Sequence, residues 1–313
     1  MAAILGRFGG WLYQQPYLLV SLTYLTWAIN IVLGRYAAGH IPPVALTFWR
    51  WGLAFLILLP FAWPYLKHDW PVIRRHALLI AVLSGVGVAG FNVLAYWGLQ
   101  YTQAINALLI QSTIPVAVGA MSFALFGDRL SAGQAAGIAL SLLGVVIILI
   151  RGDYDVLHSI SFNRGDVWFF AAMLTFAFYS ALMKKRPAMH PLSFLAVTSG
   201  WGTLLLIPVY VWEISSGATI PVDATTLWIL AFVAIFSSIV AYICFNRGVE
   251  LLGPNRVAAL YPLIVVFGSA IAIVFLGERP QLYHVIGFVL VIAGLLLATR
   301  QPKVKRPSAI PHP

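Results

Sequence analysis

Two stretches of eighteen residues, GDRLSAGQAAGIALSLLG at 127–144 and GERPQLYHVIGFVLVIAG at 277–294, carry the same landmarks at the same spacing. Each begins with Gly, an acidic residue and Arg, and each has further glycines ten and seventeen positions after the first. The stretches lie 150 residues apart, and other residues whose backbone or bulk is hard to replace repeat at that offset. These pairs are His40/His190, Trp51-Gly52/Trp201-Gly202, Pro71/Pro221 and Gly98/Gly248. The common offset indicates a duplicated fold, and the glycines inside each stretch predict close helix packing.

The composition indicates a bilayer protein. Of 313 residues, 61% are hydrophobic and 9% are charged, whereas a soluble domain has about 25% charged residues. The net charge of +10 comes from basic residues spread between apolar runs, which is typical of membrane topology and does not favour nucleic-acid binding. A single cysteine, Cys244, excludes an internal disulfide and a cysteine metal cluster, and we expect no cofactor.

Ten continuous apolar segments predict an all-α integral membrane protein, because about 20 helical residues cross a bilayer core. The predicted spans are 17–37, 44–66, 77–99, 104–126, 132–150, 166–186, 191–213, 225–248, 255–277 and 281–299. We therefore divide the chain into a first five-helix repeat at 1–150, a linker at 151–165 and a second five-helix repeat at 166–313 with a basic tail.

The distribution of basic residues predicts the orientation. Alternate loops hold twelve Lys and Arg residues on the side of the N-terminus and four on the opposite side. Since cytoplasmic loops carry the excess of Lys and Arg, we expect both termini in the cytoplasm and the 151–165 linker outside it. The protein is predicted to lie in a bacterial inner membrane.

Five spans per repeat, an odd number, mean that the second copy enters the membrane from the opposite side. Ten helices in two inverted five-helix repeats are typical of secondary transporters, in which two halves build a site near the membrane midplane. The alternative is a duplication that only stabilises a structural bundle. We favour the transporter, because inversion supplies two states of similar energy that face opposite sides.

The third and eighth spans place polar side chains at helical spacing on one face. Asn92 corresponds to Tyr242 at the 150-residue offset, and Tyr96 corresponds to Asn246, so the same two residue types are exchanged between related positions. An amide in hydrocarbon is costly unless it is paired. These residues are predicted to line a wet cavity, the alternative being hydrogen bonds that hold neighbouring helices together.

Other candidates for binding an amphipathic solute lie on the first, fourth, sixth and ninth spans. They are aromatic or amide side chains that combine an apolar face with a polar edge: Trp27, Asn30, Gln111, Trp168, Tyr179 and Tyr261. Trp168 lies near a span end and can equally belong to an interfacial aromatic belt. Mid-span Pro115 and Pro262 predict helix kinks beside a polar lining, although kinks also occur in structural spans.

Arg50 is the one clear charge within a predicted span. It lies about two turns from the outer end, close enough for its side chain to reach the interface. Two roles stay open, namely fixing neighbouring carbonyl groups and binding a carboxylate. All nine Asp and Glu residues fall in loops or at span ends, which disfavours proton coupling through a carboxylate and favours uniport or exchange.

Together these features resemble the EamA-type drug/metabolite transporter family over about residues 17–300. The matching stretches are TWAIN at 26–30, FWRW at 48–51, GLQYTQA at 98–104, GDRL at 127–130, GIALSLLG at 137–144 and GERP at 277–280. The resemblance implies a basket-like bundle whose first, third, fourth, sixth, eighth and ninth helices line a central cavity. It also implies export of amino acids or related metabolites, and the aromatic residues look most similar to the YddG-type exporters of aromatic amino acids.

The leading hypothesis is an exporter of neutral or aromatic amino acids that works by alternating access. The rival is efflux of flat organic cations held by cation–π contacts. An intramembrane enzyme is disfavoured, because no nucleophile–base pair or metal cluster falls within the spans. The expected partners are the lipid bilayer and a small amphipathic substrate, without nucleic acid, and the protein is expected as a monomer or homodimer.

Overall fold

A computed structural model describes residues 10–102, 104–150, 163–275 and 281–299. The described chain is helical and follows the ten predicted spans. The first five are α1 Pro16–Ala37, α2 Pro43–Arg75, α3 Ala77–Tyr101, α4 Ala104–Ser112 with Ile114–Phe126, and α5 Ala132–Leu149. The second five are α6 Arg164–Leu182, α7 Pro191–Ser215, α8 Ala224–Leu252, α9 Pro254–Ala259 with Leu263–Phe275, and α10 Leu282–Thr299. The linker residues 151–162 and the Gly277–Pro280 motif lie outside the described residues.

Helix starts follow the local sequence. Ser131 accepts from the Gln134 N–H and begins α5, and Asn163 accepts from the Gly165 N–H at 2.7 Å and begins α6. These side chains satisfy backbone donors that a first helical turn leaves free.

The predicted kinks in the fourth and ninth spans are helix breaks. α4 is interrupted at Thr113, two residues before Pro115, and α9 is interrupted between Ala259 and Leu263, around Pro262. A proline ring cannot donate a backbone hydrogen bond and clashes with the preceding turn. Here the second segment of α4 begins at Ile114, directly before Pro115, and that of α9 begins at Leu263, directly after Pro262.

Helix pairing obeys an inverted two-fold relation. α3 packs on α6, and the related pair α8 and α1 also pack together; α2 packs on its counterpart α7, and α5 on α10. At the α5–α10 contact, Gly137 faces Gly294 and Gly144 faces Gly287. At the 150-residue offset, Gly137 is the counterpart of Gly287 and Gly144 is the counterpart of Gly294, so each contact is the counterpart of the other. A two-fold axis between the halves requires this relation. Ser141 lies close to that axis, because it donates to the carbonyl of its own counterpart Val291 at 3.3 Å.

The bundle has two ends, which we name the near side, where α1 begins, and the far side, where α1 ends. On the near side, Arg247 of α8 donates to the Tyr13 carbonyl at 3.3 Å. On the far side, Arg35 of α1 donates to the Leu99 carbonyl at 2.9 Å.

Helix α2 has 33 residues, about 50 Å at 1.5 Å per residue. It exceeds a ~30 Å hydrocarbon core, so the helix continues beyond the predicted 44–66 span as far as Arg75.

Candidate functional site

Arg50 lies inside the bundle with only 2% of its surface exposed. Its guanidinium donates to the Asn92 Oδ1 at 2.9 Å and the Tyr96 hydroxyl at 3.0 Å on α3. It also donates to the Ser238 Oγ at 2.6 Å and the Ser237 carbonyl at 2.9 Å on α8. The side chain of Arg50 does not reach the interface, because four acceptors from two facing helices hold the guanidinium in the interior.

All four acceptors are neutral, which leaves the charge of Arg50 without a counterion among the described residues. A buried cation is ordinarily paired with an anion, since desolvation costs several kcal/mol per ion. Neutral acceptors offset part of that cost and fix the orientation of the guanidinium. The arrangement is therefore a preformed donor group with unused capacity for an anion.

An internal cavity of about 40 Å³ opens beside Arg50. Its lining combines aromatic rings, two asparagines, a glutamine and small apolar groups, with Arg50 as the one charged member. The lining residues are Trp27, Asn30, Ile31, Arg50, Phe91, Asn92, Ala95, Tyr96, Leu99, Gln111, Phe169, Met173 and Tyr261. The volume suits a few water molecules and lies far below the ~300 Å³ of the smallest typical ligand sites. In this structure the cavity is therefore too small to hold an amino acid.

A buried layer of aromatic rings separates the cavity from the near side. The ring of Trp27 lies 5.4 Å from Phe176, 5.6 Å from Tyr242 and 5.3 Å from Phe245, and Tyr179 continues the layer beside Phe245. Edge-to-face and tilted contacts at these distances are favourable for aromatic pairs. The layer blocks direct passage toward the near side in this state.

Below the aromatic layer, a vestibule of about 410 Å³ lies at the near side. Its wall includes Asn246, whose Oδ1 accepts from the Tyr179 hydroxyl at 3.1 Å. Arg186 donates to Glu250 at 3.1 Å at the same vestibule. Asn246 and Tyr179 consequently occupy the boundary between the aromatic layer and the near-side opening.

Each half contains a hydrogen bond from a tyrosine to an asparagine, but the two residue types lie on opposite members of the related helix pairs. In the first half, Tyr96 of α3 donates to Asn30 of α1 at 2.9 Å; in the second, Tyr179 of α6 donates to Asn246 of α8. Tyr96 and Asn246 are counterparts at the 150-residue offset, and Asn30 corresponds to a position beside Tyr179. Tyr96 and Asn246 from the exchange visible in the sequence therefore each take part in a contact between helices, and of the four exchanged residues Asn92 and Tyr96 line the cavity.

The structure distributes the ten predicted binding residues over three places. Six line the cavity: Trp27, Asn30, Asn92, Tyr96, Gln111 and Tyr261. Three lie in the aromatic layer or at the vestibule: Tyr179, Tyr242 and Asn246. Trp168 is not at the cavity, because it lies one turn from the start of α6, 42% exposed and beside Trp97 at 5.8 Å.

Several cavity residues escaped the sequence analysis. Phe91, Phe169 and Met173 line the cavity, yet apolar side chains in apolar spans give no signal of their own. Ser237 and Ser238 bind Arg50 from α8. Contrary to the implied architecture, α2 supplies a lining residue and α8 supplies none.

Among the described residues, no group of three or more His, Cys, Asp or Glu side chains lies close enough to hold a metal ion. The chemistry available at the cavity is binding through hydrogen bonds, aromatic faces and one positive charge.

The sequence can be compared with known protein families. The sequence matches the EamA-like transporter family twice, over residues 14–150 and 163–300. The chain belongs to the EamA-like transporter family. The two matched regions coincide with the two five-helix halves, so this EamA-like chain is a multi-pass transporter built from a duplicated unit.

Similar proteins include transporters from several bacteria. An "Uncharacterized transporter YyaM" of Bacillus subtilis is 29% identical over 290 residues, covering 89% of this chain and 93% of the relative. A "Probable amino-acid metabolite efflux pump" of Salmonella typhimurium is 28% identical over 309 residues, covering 93% and 97%. A "Probable terminal-alkyne amino-acid exporter" of Streptantibioticus cattleyicolor is 26% identical and covers 75% and 77%.

A solved structure supports the fold. A chain described only as "Crystal structure of protein" superimposes with a TM-score of 0.71 at 17% sequence identity and covers 91% of this EamA-like chain and 96% of its own length. At that identity the likeness concerns the fold alone.

Proposed function

We propose that this protein exports amino acids, chiefly neutral and aromatic ones, together with related metabolites, across the bacterial inner membrane. The observation that carries the proposal is Arg50, a buried cation whose hydrogen-bond partners are neutral and which borders the central cavity. A substrate carboxylate would supply the missing negative charge through charge-assisted hydrogen bonds. The names of the Salmonella and Streptantibioticus relatives support an amino-acid substrate.

The rest of the cavity suits the remainder of an amino acid. Trp27, Tyr96 and Tyr261 present aromatic faces, against which an aromatic or aliphatic side chain can pack. Asn30 and Gln111 contribute amide groups to the same lining, and an amide oxygen can accept from an α-ammonium group. The lining is electropositive at Arg50, which makes it a poorer site for a flat organic cation than aromatic rings alone would be.

Alternating access is the proposed mechanism. The cavity has to expand before it admits an amino acid, and the aromatic layer at Trp27 and Tyr242 has to separate before the cavity opens to the near side. Two inverted halves of similar structure can exchange roles in such a transition. Because no carboxylate belongs to the lining of the described cavity, we propose uniport or exchange in place of proton coupling.

Counterflow in proteoliposomes tests the assignment with three matched solutes. Phenylalanine carries both charged groups, 3-phenylpropionate lacks the amine, and phenethylamine lacks the carboxylate. We expect phenylalanine to be exchanged and phenethylamine to compete poorly. Arg50→Gln is expected to raise the half-saturating concentration of phenylalanine about tenfold or more, because a hydrogen bond to a charged group contributes about 1.5–3 kcal/mol.

The matched control is Ser238→Ala, which removes one neutral hydrogen bond to Arg50 and keeps the charge. This variant is expected to retain the preference for carboxylates. If phenethylamine competes as well as phenylalanine and Arg50→Gln does not alter that ranking, the cavity is an organic-cation site and the amino-acid assignment is wrong.

A further inference from the structure

A second site is a groove on the membrane-facing surface between α2 and α7. It encloses about 580 Å³, and its lining is apolar except at one end. Phe55, Leu59 and Trp63 form the α2 wall, while Val197 and Leu204 belong to the α7 wall. Two small residues of α7, Ala196 and Gly200, also line the groove. Phe55 packs closely over Gly200, where an added Cβ would lie 3.0 Å from its ring.

The fold itself does not require this hollow. Its counterpart under the inverted symmetry is the far-side contact between α2 and α7, where groups of the two helices touch directly. Phe48 stacks on Tyr210 with ring centroids 4.3 Å apart. Glu213, the counterpart of Trp63, accepts from the Val44 and Ala45 N–H groups at 3.1 and 2.7 Å. The near-side groove is therefore a departure from the repeat and not a consequence of it.

The near-side end of the groove is basic. Lys67 belongs to the lining, and its Nζ lies 5.3 Å from the centre of the Trp63 ring. Arg74 and Arg75 follow in the last turn of α2. None of the three takes part in an ion pair among the described residues. Trp63 and Trp70, both more than half exposed, are residues that favour the boundary between hydrocarbon and headgroups.

The length of α2 sets these charges at headgroup depth. Starting from Pro43 on the far side, about 20 residues cross the hydrocarbon core, so Lys67 lies just beyond it. The groove consequently presents an apolar channel at acyl-chain depth and an unpaired cation at phosphate depth. Basic pockets between transmembrane helices on the cytoplasmic side are suited to anionic lipid headgroups.

We infer that this groove binds one anionic phospholipid, with an acyl chain along Phe55, Leu59 and Leu204 and its phosphate at Lys67. The charge of Lys67 at the end of the groove favours a lipid of net negative charge over a zwitterionic lipid, whose phosphate is offset by the lipid's own cation. The inference is independent of the proposed amino-acid substrate, because the groove opens to the bilayer and shares no lining residue with the central cavity.

Native mass spectrometry and thermal unfolding of the purified full-length protein test the site with phosphatidylglycerol and phosphatidylcholine as probes. We expect phosphatidylglycerol to give a retained single-lipid adduct and a larger rise in Tm than phosphatidylcholine. Lys67→Gln is expected to weaken phosphatidylglycerol binding about fivefold and to remove its advantage over phosphatidylcholine. Val197→Trp, which fills the groove, is expected to abolish the adduct of either lipid.

The matched control is Lys185→Gln, an exposed lysine near the end of α6 on the same side of the bundle. It is expected to behave like the unmodified protein. Equal stabilisation by the two lipids, or equal losses in Lys67→Gln and Lys185→Gln, would overturn the site in favour of diffuse surface charge. A dimer peak that Val197→Trp removes, without a lipid adduct, would identify the groove as a protein interface instead. Since Lys67 is exposed, its variant keeps the test decisive even if Val197→Trp fails to fold.

Discussion

The guanidinium of Arg50 joins α2 to both α3 and α8, the two helices that are counterparts in the inverted repeat. It donates to the side-chain oxygen of Asn92 in the first half and to the backbone carbonyl of Ser237 in the second half. Asn92 in turn donates to the Val88 carbonyl at 2.7 Å, so its amide is fixed on both sides. Asn92 therefore acts by orienting Arg50 as well as by lining the cavity.

Asn92→Ala is expected to lower amino-acid flux while the protein remains folded, because Arg50 loses one acceptor and gains rotational freedom. The expected signature is a higher half-saturating concentration for substrates that carry a carboxylate. Counterflow over a concentration series measures it. Asn246→Ala, at the vestibule, is also expected to lower flux. Unchanged flux in both variants would contradict the proposed site.

Gly137 illustrates a residue constrained by a backbone contact. A Cβ there would lie 2.5 Å from the Gly294 carbonyl oxygen and from the Ala298 nitrogen, and backbone atoms of a packed helix cannot move aside cheaply. Gly137→Ala is therefore expected to lower the free energy of unfolding by about 1–3 kcal/mol.

Thermal unfolding in detergent measures the effect, and Gly133 provides the control on the same helix. The atom nearest to a Cβ at Gly133 is 3.8 Å away. Gly133→Ala should leave Tm unchanged or raise it slightly, since alanine is the better helix former. Equal losses in the two variants would show that the α5–α10 contact does not explain the glycines.

At the scale of the element, α3 and α8 each contain one π-helical segment, at Gly85–Gly90 and Ile235–Val240. The two segments are separated by the same 150 residues as the repeats. A π-helical turn shifts the backbone hydrogen bonds and often marks a functional position. Its repetition in both halves indicates that it belongs to the duplicated unit.

Each π-helical segment offers one carbonyl to the opposite half. The Gly87 carbonyl accepts from Tyr242 at 2.9 Å, and its counterpart, the Ser237 carbonyl, accepts from Arg50 and from Trp27 at 3.2 Å. The two halves are thus joined at symmetric points, but by different side chains. This asymmetry places the positive charge on one side of the axis only.

Tyr242→Phe tests the contact at Gly87. The substitution keeps the ring and removes the hydroxyl, so a buried carbonyl loses a partner at a cost of about 1–3 kcal/mol. We expect a lower Tm for Tyr242→Phe and no change for Tyr101→Phe, whose side chain is exposed. An unchanged Tm in Tyr242→Phe would mean that this contact between the halves contributes little to stability.

The breaks in α4 and α9 show the same relation between the halves. Gln111 of α4 donates to the hydroxyl of Tyr261 in α9 at 3.3 Å, and these residues are counterparts at the 150-residue offset. Tyr261 directly precedes Pro262, and Gln111 lies four residues before Pro115. The prolines predicted irregular helices here, whereas the contact between the two irregular segments depends on how the halves pack.

At the scale of the whole molecule, the described chain has ten helices, so α1 begins and α10 ends on the near side. The excess of Lys and Arg on that side leads us to propose that it faces the cytoplasm. Cys244 is buried, so a Cys244→Ser background permits site-specific labelling. With an impermeant maleimide, Ser216→Cys is expected to react in intact cells, and Lys185→Cys only after permeabilisation. The reverse pattern would invert the proposed orientation.

Much of this architecture could be predicted from the sequence because the bilayer restricts the alternatives. Inside the bilayer no water is present, so the backbone N–H and C=O groups of a span must hydrogen-bond to each other. The length of an apolar segment is therefore enough to identify it as a helix. The ends of α5 and α10 agree with prediction to within a residue. The extension of α2 to Arg75 could not be predicted in the same way, because a helix that leaves the hydrocarbon no longer needs apolar residues.

The site was predicted less completely. Polar residues in apolar spans are conspicuous, and for this reason Asn92, Tyr96 and Gln111 could be identified one by one. Phe91, Phe169 and Met173 could not be identified, because the same apolar residue types occur at a cavity wall, in a packed core and at the lipid surface. Trp168 was predicted at the cavity, where it does not lie, for a related reason. An indole suits a cavity wall and a membrane boundary equally well.

By itself, the sequence determined the duplication, the ten spans and the odd number of spans per repeat, and therefore the inversion. These follow from spacing and hydrophobicity, which are properties of the chain taken in order. Only the tertiary structure decided that Arg50 points inward among neutral acceptors, that the central cavity is small and that the α2–α7 groove is open on one side. Those features depend on contacts between residues far apart in the chain, where side-chain volume and hydrogen-bond geometry decide between arrangements that the same pattern allows.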